Sequence, residues 1–404
     1  MHCVTCGAEY SLDEVQYVCP TCGPVGVLDV VYAYETIPAA RPDGGARSMW
    51  YRQVMPLTGD AVLPAMQIGG TPLYDATRLA DRLGLRRVWV KDDGRNPTAS
   101  FKDRASAMVV AHAGAIGVTT VATASTGNAA AALAGVCAAT PGIEAMIFVP
   151  ASAPEAKIAQ LLIYGARVLL VEGTYDDAFD LCWEACEEFG WYNRSTGINP
   201  FTTEGKKTVS FELAEQLGWN PPDVVVVSVG DGSIIGGVHK GFVDMLHMGW
   251  IDRIPRLIGT QAVGSSPLVE AWANDRAPQA MTPVDAHTVA DSISSGLPRD
   301  RAKALRSVRQ TGGAFVAVSD DAILAAIPEL AQGCGVFAEP AGAAAYAGLK
   351  RAVADRYVQP SDRVAVLVTG NGLKDIRSAM QTVGKAERVA PNLDAVRAVL
   401  ERIG

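Results

Sequence analysis

The run Asn96-Pro97-Thr98-Ala99-Ser100-Phe101-Lys102-Asp103-Arg104 joins an apolar, strand-like segment at residues 87–90 to a long Ala- and Val-rich pattern that predicts a helix. Because the helix is expected to begin near Phe101, Lys102 lies in its first turn, close to the end of a strand. The positive end of the helix dipole and partial burial both favour a neutral amine there. A neutral amine is nucleophilic and can hold an aldehyde as a Schiff base. The competing interpretation is an exposed Lys102 paired with Asp103, the commoner situation for a lysine.

The composition predicts a soluble enzyme of two or three domains. The 404 residues are 49% apolar, and 40 glycines with 23 prolines imply many tight turns. A net charge of −8 argues against a nucleic-acid surface and favours a small-molecule enzyme. No stretch has the pattern of a membrane span, and Cys3 and Cys6 stand where a signal peptide would need charged and apolar residues. We therefore expect a reducing, cytoplasmic setting.

Four of the eight cysteines have metal-ligand spacing. They are Cys3, Cys6, Cys19 and Cys22, two CxxC pairs separated by residues 7–18. Four thiolates at this spacing suit one tetrahedral structural zinc, whereas disulfides are disfavoured in a reducing compartment. A closed four-thiolate site has no open position, so we expect no catalytic role for it. The other four cysteines lie in apolar, helix-like contexts and are expected to be packed thiols.

Strand and helix patterns alternate through most of the chain. Strands are predicted at residues 88–91, 119–122, 144–149, 167–171, 224–229, 256–260, 315–318 and 364–368. Helices are predicted at residues 77–83, 101–114, 128–138, 154–164, 175–189, 208–217, 236–245, 267–273, 320–332, 341–353 and 393–403. Val- and Ile-rich strands spaced by helices indicate parallel sheets covered on both faces. The aromatic run at residues 48–52 is interpreted as packing rather than chemistry.

Three turns follow predicted strands and carry groups that bind anions or rings. Ser125-Thr126-Gly127-Asn128 opens a helix, where hydroxyls and free amides can bind a carboxylate and Asn128 can donate to a phenolate oxygen. Gly230-Asp231-Gly232-Ser233-Ile234 also opens a helix, and its amides can converge on a phosphate, although it has no P-loop ending. Thr369 ends the last strong strand and can meet a pyridine nitrogen. Taken singly, each turn is explained equally well as a cap or a structural turn.

Taken jointly, these turns and Lys102 meet the requirements of pyridoxal phosphate: a Schiff-base amine, a phosphate site, an anion site and a hydroxyl for the ring nitrogen. At this level the chain resembles the threonine synthase family of fold-type II pyridoxal-phosphate enzymes. The segments that carry the resemblance are 96–104, Ser125 to Asn128, Asn199-Pro200, 204–208, Glu339-Pro340-Ala341 and 369–375. The resemblance extends over the chain from Gly69 onward, and an N-terminal zinc-ribbon-like segment recurs in some members.

The resemblance implies an α/β fold like that of the tryptophan synthase β subunit, with two three-layer domains built on parallel sheets plus a small zinc ribbon. The ribbon would span residues 1–28, and the large cofactor-binding domain residues 29–104 and 213–404. Residues 105–212 would form a small mobile domain that closes over the substrate and excludes water. A homodimer is also expected, as twofold assemblies are common.

The resemblance further implies a role for each group. Lys102 would hold the cofactor and then shuttle protons, Asn128 would bond the cofactor's 3′-oxygen, and Thr369 would meet the ring nitrogen. The cofactor phosphate would be bound by backbone amides of Gly230, Asp231, Gly232, Ser233 and Ile234. The substrate carboxylate would be held by Ser125, Thr126 and Gly127. The family's reaction converts O-phosphohomoserine and water to threonine and phosphate.

One departure from the family pattern concerns the substrate's phosphate. An Arg is expected two residues after Pro200, where this chain has Thr202. Losing an arginine–phosphate contact removes roughly 1.5–3 kcal/mol of binding free energy, and Lys206 or Arg194 are the candidates to replace it. The departure keeps a second hypothesis open: a threonine or serine dehydratase, or a β-replacement enzyme with another leaving group.

A third hypothesis comes from another class of protein. Zinc ribbons often bind nucleic acid or protein partners, so the chain could be a regulatory protein built on a degenerate enzyme fold. The acidic balance and the presence of Lys102, Asn128 and Thr369 argue against it.

Overall fold

The computed structural model describes residues 1–38, 40–41, 51–57 and 61–403. The strands are β1 His2–Cys3, β2 Leu28–Asp29, β3 Leu73–Asp75, β4 Arg87–Asp92, β5 Thr120–Ala124, β6 Glu144–Pro150, β7 Arg167–Val171, β8 Tyr192–Asn193, β9 Val224–Ser228, β10 Arg256–Ala262, β11 Ala314–Val318 and β12 Arg363–Val368. The helices are α1 Thr77–Leu83, α2 Lys102–Ala115, α3 Asn128–Ala138, α4 Glu155–Ile163, α5 Tyr175–Phe189, α6 Phe201–Gln216, α7 Ser233–His247, α8 Pro267–Ala273, α9 Arg301–Gln310, α10 Asp320–Cys334, α11 Pro340–Ala354, α12 Ile376–Met380 and α13 Leu393–Ile403.

Two parallel sheets carry the fold, as the Val-rich strands predict. The larger has the order β11-β10-β9-β12-β4-β3, and only the edge strand β3 is antiparallel to its neighbour. The smaller has the order β7-β6-β5-β8, and its strands are all parallel. The central strands β9 and β12 are apolar and buried on both faces, because helices cover them on each side. The expected α/β fold with two parallel sheets is confirmed.

The N-terminal segment forms a small separate unit. Strands β1 and β2 pair in an antiparallel ribbon, and Cys3 and Cys19 lie in its buried centre. The glycines that follow the two CxxC pairs, Gly7 and Gly23, have φ angles of 77° and 59°. Since these left-handed turns suit glycine, the chain can fold back on itself after each cysteine pair.

Helix α6 differs from its prediction in a way that matters for the site. The sequence predicts a helix over residues 208–217, but the helix begins two turns earlier, at Phe201. The added turns contain Glu204, Lys206 and Lys207, polar residues that are fully buried because other helices supply their partners. Such a pattern has no apolar face, so periodicity alone does not reveal it.

Other elements were missed because they are short or polar. Helix α9 is rich in Arg and Lys, and strands β3 and β8 have three and two residues. Of the aromatic run at 48–52, residues 48–50 lie outside the described residues. Tyr51 is buried with its ring edge-on to Phe211, 4.9 Å between centroids, so for Tyr51 the packing interpretation is confirmed.

A buried ionic network fixes α2 against α6 and β4. Arg104 Nε donates to Asp93 at 2.6 Å, and Arg104 Nη1 donates to Glu212 at 2.6 Å. Glu212 also accepts from Lys91 Nζ at 2.7 Å. Each of these side chains is fully buried, so the hydrogen bonds replace the lost hydration of four charges. The network thus holds the first turn of α2, which carries Arg104, against β4 and α6.

In the described part of the chain, no helix combines the length and apolar character needed to cross a bilayer.

Candidate active site

Lys102 is the first residue of α2, and the loop before it is bonded to the end of β12. Phe101 N donates to the Thr369 carbonyl oxygen at 2.8 Å, and Asn371 N donates to the Ala99 carbonyl oxygen at 3.1 Å. Ala99 has a φ of 65°, a strained value for a residue with a Cβ. These bonds place the Lys102 segment directly beside Thr369, as the sequence analysis predicts.

The Lys102 amine lies in an environment that favours its neutral form. Burial, together with the nearby charge of Arg194, lowers the pKa of this amine to about 8, against the opposing effect of Glu339 and Asp231. The alternative of an exposed pair with Asp103 is wrong. Asp103 is fully buried and accepts hydrogen bonds from the backbone amide, at 2.7 Å, and the hydroxyl of Thr98. About a tenth of the Lys102 amine is therefore neutral at pH 7, enough for attack on an aldehyde.

Asn128 and Glu339 form a buried pair beside Lys102. Asn128 Nδ2 donates to Glu339 Oε1 at 2.8 Å, and Glu339 N donates to the Gly370 carbonyl oxygen at 3.1 Å. Burial raises the pKa of the Glu339 carboxyl to about 7, while Lys374 and Lys102 oppose the shift. A Cβ on Gly370 would approach Glu339 Oε1 to 2.1 Å, so this carboxyl needs a glycine at 370. Sequence reasoning assigned no role to Glu339; its position at a helix start after an apolar run was the available signal.

Ser125, Thr126 and Gly127 connect β5 to α3 and are partly exposed. Gly127 N donates to Ser125 Oγ at 3.2 Å, and Gly127 itself occupies the N-cap, which no side chain caps. The alternative that this turn serves only to cap α3 through a side chain is therefore not supported. No side chain caps the start of α3, and uncapped amides at a helix start suit a carboxylate.

The glycine-rich turn from Gly230 to Ile234 leads from β9 into α7. Gly232 has a φ of 90°, and a Cβ on Gly230 would approach the Ile293 backbone to 2.8 Å, so both positions require glycine. The Asp231 carboxylate accepts from Ser295 Oγ at 3.2 Å, which commits its charge to the neighbouring loop. The turn thus presents amides at the N-terminus of a fifteen-residue helix, a site suited to a phosphate.

A buried lysine lies at this turn. Lys206 Nζ donates to Ser233 Oγ, and Lys206 has no exposed surface. Burial lowers the pKa of Lys206 well below its usual value, and the nearby Lys102 and Arg194 charges add to the effect. Lys102, Lys206 and Arg194 therefore lie within electrostatic range of one another, and an anion bound between them would favour their charged forms.

A chain of contacts shows that the predicted loops converge. Asn128 Nδ2 also lies 3.4 Å from Ser292 Oγ, and the next residue, Ile293, touches Gly230. Asn128 is thereby connected to the glycine-rich turn on one side and, through Glu339 and Gly370, to the Lys102 loop on the other. Lys102, Ser125 to Asn128, Gly230 to Ile234 and Thr369 all follow the carboxyl ends of parallel strands, the edge at which α/β sheets bind ligands.

These residues fit pyridoxal phosphate. The site supplies an amine with a depressed pKa, an amide donor on Asn128, a hydroxyl on Thr369 and a glycine turn with a buried cation for the phosphate. Close packing around Gly230 and Gly232 leaves no room for a side chain, so both positions need glycine. The donor set therefore matches the groups of the cofactor.

The four N-terminal cysteines form a separate cluster. Cys3, Cys6, Cys19 and Cys22 have sulfurs that all lie within 4.8 Å of one another. Cys6 Sγ and Cys19 Sγ are 3.7 Å apart, and zinc–sulfur bonds of about 2.3 Å give tetrahedral edges of about 3.8 Å. The thiols therefore fit one zinc ion with no position left for a substrate.

Comparison with known proteins agrees with this geometry. The family model described as "Pyridoxal-phosphate dependent enzyme" matches residues 65–370. The chain is 39% identical to the threonine synthase of Methanosarcina acetivorans over 401 residues, 98% of this chain and 97% of that protein. It is 35% identical to the threonine synthase of Methanocaldococcus jannaschii, over 99% of both chains.

Solved structures share the fold at low sequence identity. The processed form of threonine deaminase isoform 2 from Solanum lycopersicum has a TM-score of 0.67 at 23% identity, over 78% of this chain and 87% of that one. Maize serine racemase has a TM-score of 0.64 at 23% identity, over 82% and 93%. From the family match and the relatives together, the chain belongs to the fold-type II pyridoxal-phosphate-dependent enzymes and, among these, to the threonine synthase family.

Proposed function

We propose that this chain is a pyridoxal-phosphate-dependent lyase that converts O-phosphohomoserine and water to threonine and phosphate. The observation that carries the proposal is 39% identity to a threonine synthase over 98% of the chain. The site adds support, because three buried or half-buried basic groups, Lys102, Lys206 and Arg194, lie within electrostatic range of one another. A substrate that brings both a carboxylate and a phosphate would favour the charged forms of these groups.

When bound, pyridoxal phosphate supplies an electron sink for the carbons next to the substrate's amino group. Lys102 Nζ attaches the cofactor and then moves protons at those carbons, for which a pKa of about 8 is well matched. Asn128 Nδ2, held by Glu339, donates toward the cofactor's 3′-oxygen. The Thr369 hydroxyl meets the ring nitrogen as a neutral partner.

The two helix starts take the anionic groups. Amides of Gly230, Asp231, Gly232, Ser233 and Ile234 bind the cofactor phosphate, with the buried Lys206 amine beside Ser233. The open amides and hydroxyls of Ser125, Thr126 and Gly127 bind the substrate carboxylate. Both sites place negative charge at the positive end of a helix dipole.

The small mobile domain, residues 105–212, closes over the substrate in this proposal. It contains the whole four-stranded sheet, β5 to β8, whereas the strands of the six-stranded sheet come from residues outside it. Closure would exclude water until the step that consumes it. The proposal divides the rest of the chain into two further units. These are the ribbon, residues 1–28, and the large cofactor-binding domain, residues 29–104 and 213–404.

The test is a substrate panel assayed with the cofactor-loaded protein. O-Phosphohomoserine, L-threonine and L-serine are supplied separately, and phosphate, keto acid and threonine are measured together. Equal amounts of phosphate and threonine from O-phosphohomoserine are expected. Keto acid from threonine or serine, with no phosphate release from O-phosphohomoserine, would overturn the proposal.

Thr202 favours a second candidate, a threonine or serine dehydratase or a β-replacement enzyme. The Thr202 hydroxyl is buried and donates to the Asn199 carbonyl oxygen at 2.8 Å, so it is committed to the backbone. A phosphate ligand is therefore missing at the position where the family resemblance expects an Arg. The same substrate panel distinguishes this candidate by its keto-acid product.

The N-terminal ribbon is proposed to hold one structural Zn²⁺ on Cys3, Cys6, Cys19 and Cys22. The sulfur spacing supports the metal, and the closed donor set supports a role in folding rather than catalysis. Zinc content per chain, measured by atomic emission on protein purified without chelator, is expected to be one.

A cytoplasmic homodimer completes the proposal. Helix α13 supports a partner, because Leu393, Leu400 and Ile403 are 71%, 59% and 63% exposed along one helix. A second copy that covers these side chains would remove apolar surface from water. In this proposal the protein binds a small amino-acid substrate and binds neither nucleic acid nor a membrane. Sedimentation of the wild type and of Leu400→Glu tests the dimer; an unchanged monomer mass in both would refute it.

A further inference from the structure

Arg194 is a buried cation to which the proposed function assigns no ligand. It follows strand β8, and its side chain has no exposed surface. Arg194 Nε donates to Ser106 Oγ at 3.1 Å and Nη1 donates to Thr196 Oγ1 at 3.2 Å. Nη2 is buried and has no hydrogen-bond partner among the described residues. A buried guanidinium nitrogen without a partner is costly, which points to a ligand that completes it.

The charge of Arg194 is also incompletely balanced. Burial lowers the pKa of its guanidinium to about 10, and Asp103 and Tyr175 only partly oppose this. Asp103 is already engaged by Thr98, and the Tyr175 hydroxyl donates to the Ala124 carbonyl oxygen at 3.3 Å. The guanidinium also depresses the pKa of Lys102, so it stands within electrostatic range of the reacting amine. A bound anion would give Nη2 a hydrogen-bond partner and would also balance the charge of the guanidinium.

The position of Arg194 suits the far end of a substrate attached near Lys102. Ser106 lies one turn after Lys102 on the same face of α2, roughly 6 Å along the helix axis. In a homoserine phosphate, four bonds of about 1.5 Å separate the α-carbon from the phosphorus, a reach of roughly 5 Å. A group carried on the γ-carbon therefore spans the distance between the two side chains.

We propose that Arg194, oriented by Ser106 and Thr196, binds the substrate's phosphate in place of the Arg that is absent at position 202. Thr202 cannot serve, because its hydroxyl is committed to Asn199. Lys206 cannot serve either, because its amine donates to Ser233 Oγ, in the turn proposed to bind the cofactor's phosphate. Ser195 Oγ, buried and unpartnered next to Arg194, is a second donor available to the same phosphate.

The inference rests on the proposed function for the identity of the substrate, but its test is a binding measurement. Inorganic phosphate is titrated into cofactor-loaded wild type, Arg194→Gln, Arg194→Lys and Ser106→Ala, and binding is followed by calorimetry. Loss of the charge is expected to weaken phosphate binding roughly 10- to 100-fold, with smaller losses in the Lys and Ser106 variants. Binding of L-threonine, which carries only a carboxylate, and the cofactor's visible absorbance are expected to stay at wild-type values.

Arg167→Gln is the matched control, because it removes the same charge from an exposed pair with Glu144 on the same sheet. If Arg194→Gln fails to fold by circular dichroism, the Arg194→Lys and Ser106→Ala variants decide. Unchanged phosphate affinity in those variants, or no phosphate binding by the wild type, overturns the inference. An equal loss for L-threonine assigns Arg194 to the carboxylate, and loss of the cofactor assigns it to the cofactor; each overturns the inference.

Failure of the proposed function has a different signature. A wild type that binds phosphate through Arg194, yet releases no threonine from O-phosphohomoserine, refutes the threonine synthase activity and leaves the phosphate site in place. For an active enzyme, kcat/KM for O-phosphohomoserine in Arg194→Gln should fall by the same factor as phosphate affinity.

Discussion

Lys102 and Glu339 are the two side chains whose protonation the fold controls most directly at the site. Burial brings the pKa of the Lys102 amine down to about 8 and that of the Glu339 carboxyl up to about 7. Each shift favours the neutral form, since both groups have lost much of their contact with water. A proton can therefore move to or from either group near neutral pH at small free-energy cost.

Replacing Lys102 by Ala should abolish covalent attachment of the cofactor. The variant is expected to lose the visible Schiff-base absorbance and to lose activity by about 10³-fold or more, because a nucleophile and a general base are removed together. Mass spectrometry after borohydride reduction should find the cofactor on Lys102 in the wild type. Lys385→Ala, at an exposed position, serves as the control. A Lys102→Ala protein that still carries a covalent cofactor would refute the assignment.

Cofactor uptake should depend on pH in the direction set by the Lys102 pKa. The folded-state pKa lies below its usual value of 10.5, so the neutral, reactive amine becomes dominant as pH rises through about 8. Below that point the rate at which apoenzyme forms the covalent cofactor should rise about tenfold per pH unit, and above it the rate should level. Stopped-flow absorbance between pH 6 and pH 10, a range of roughly two units on either side, measures this. A rate that keeps rising to pH 10 would contradict the burial of this amine.

At the scale of the elements, α6 joins the two halves of the site. Its first turns carry Lys206 toward the glycine-rich turn, and its later turns carry Glu212 toward Arg104 in α2. A Cβ on Gly205 would approach the Arg104 carbonyl oxygen to 2.1 Å, so the two helices are in backbone contact there. Close packing of α6 against α2 thus sets the relation between the amine and the phosphate site.

The buried ionic network should be sensitive to the loss of one partner. Glu212→Gln leaves Arg104 and Lys91 without the carboxylate that both bind, and it is expected to cost about 3–5 kcal/mol of unfolding free energy. Glu144→Gln, which breaks an exposed pair with Arg167, should cost less than about 1 kcal/mol. Urea denaturation followed by circular dichroism compares the two. Equal midpoints for both variants would show that the network does not stabilise the fold.

At the scale of the whole molecule, the N-terminal ribbon contacts both sheet units. The Tyr17 hydroxyl accepts from Asn193 N at 2.9 Å, next to Arg194 in the smaller unit. On the other side, the Leu28 carbonyl oxygen accepts from Lys303 Nζ at 2.8 Å, and Asp29 pairs with Arg306 at 2.5 Å. The ribbon therefore bridges the strand that precedes Arg194 and helix α9, which flanks α7.

Removing the proposed zinc should loosen this bridge without removing the cofactor. Treatment with a chelator, or Cys19→Ser, is expected to lower the melting temperature and to expose residues 1–28 to protease, because the ribbon has only a small core of its own. The Schiff-base absorbance should persist below the transition, since every residue proposed to bind the cofactor lies outside residues 1–28. Cys334→Ser, outside the ribbon, is the control. A metal-free Cys19→Ser protein with wild-type melting and protease resistance would refute a structural metal.

Much of the architecture was predictable because it depends on local pattern. Apolar runs such as residues 224–228 and 364–368 are typical of buried strands. Six elements, α1, α3, α5, α8, α13 and β7, begin and end where they were predicted. The CxxC pairs likewise identified the thiol cluster by spacing alone. The polar helix α9 and the first turns of α6 escaped prediction, since their burial depends on partners far away in the chain.

The sequence by itself determined the alternating fold, the four loops of the site and the amine at the start of α2, because each follows from nearest-neighbour pattern and turn chemistry. Tertiary structure alone decided that Glu339 holds Asn128, that Lys206 reaches Ser233 and that Arg194 binds Ser106, one helical turn after Lys102. The physical reason is that a buried charge takes its partner from whichever element packs beside it, and packing joins residues that are 27, 88 and 211 positions apart in these three pairs.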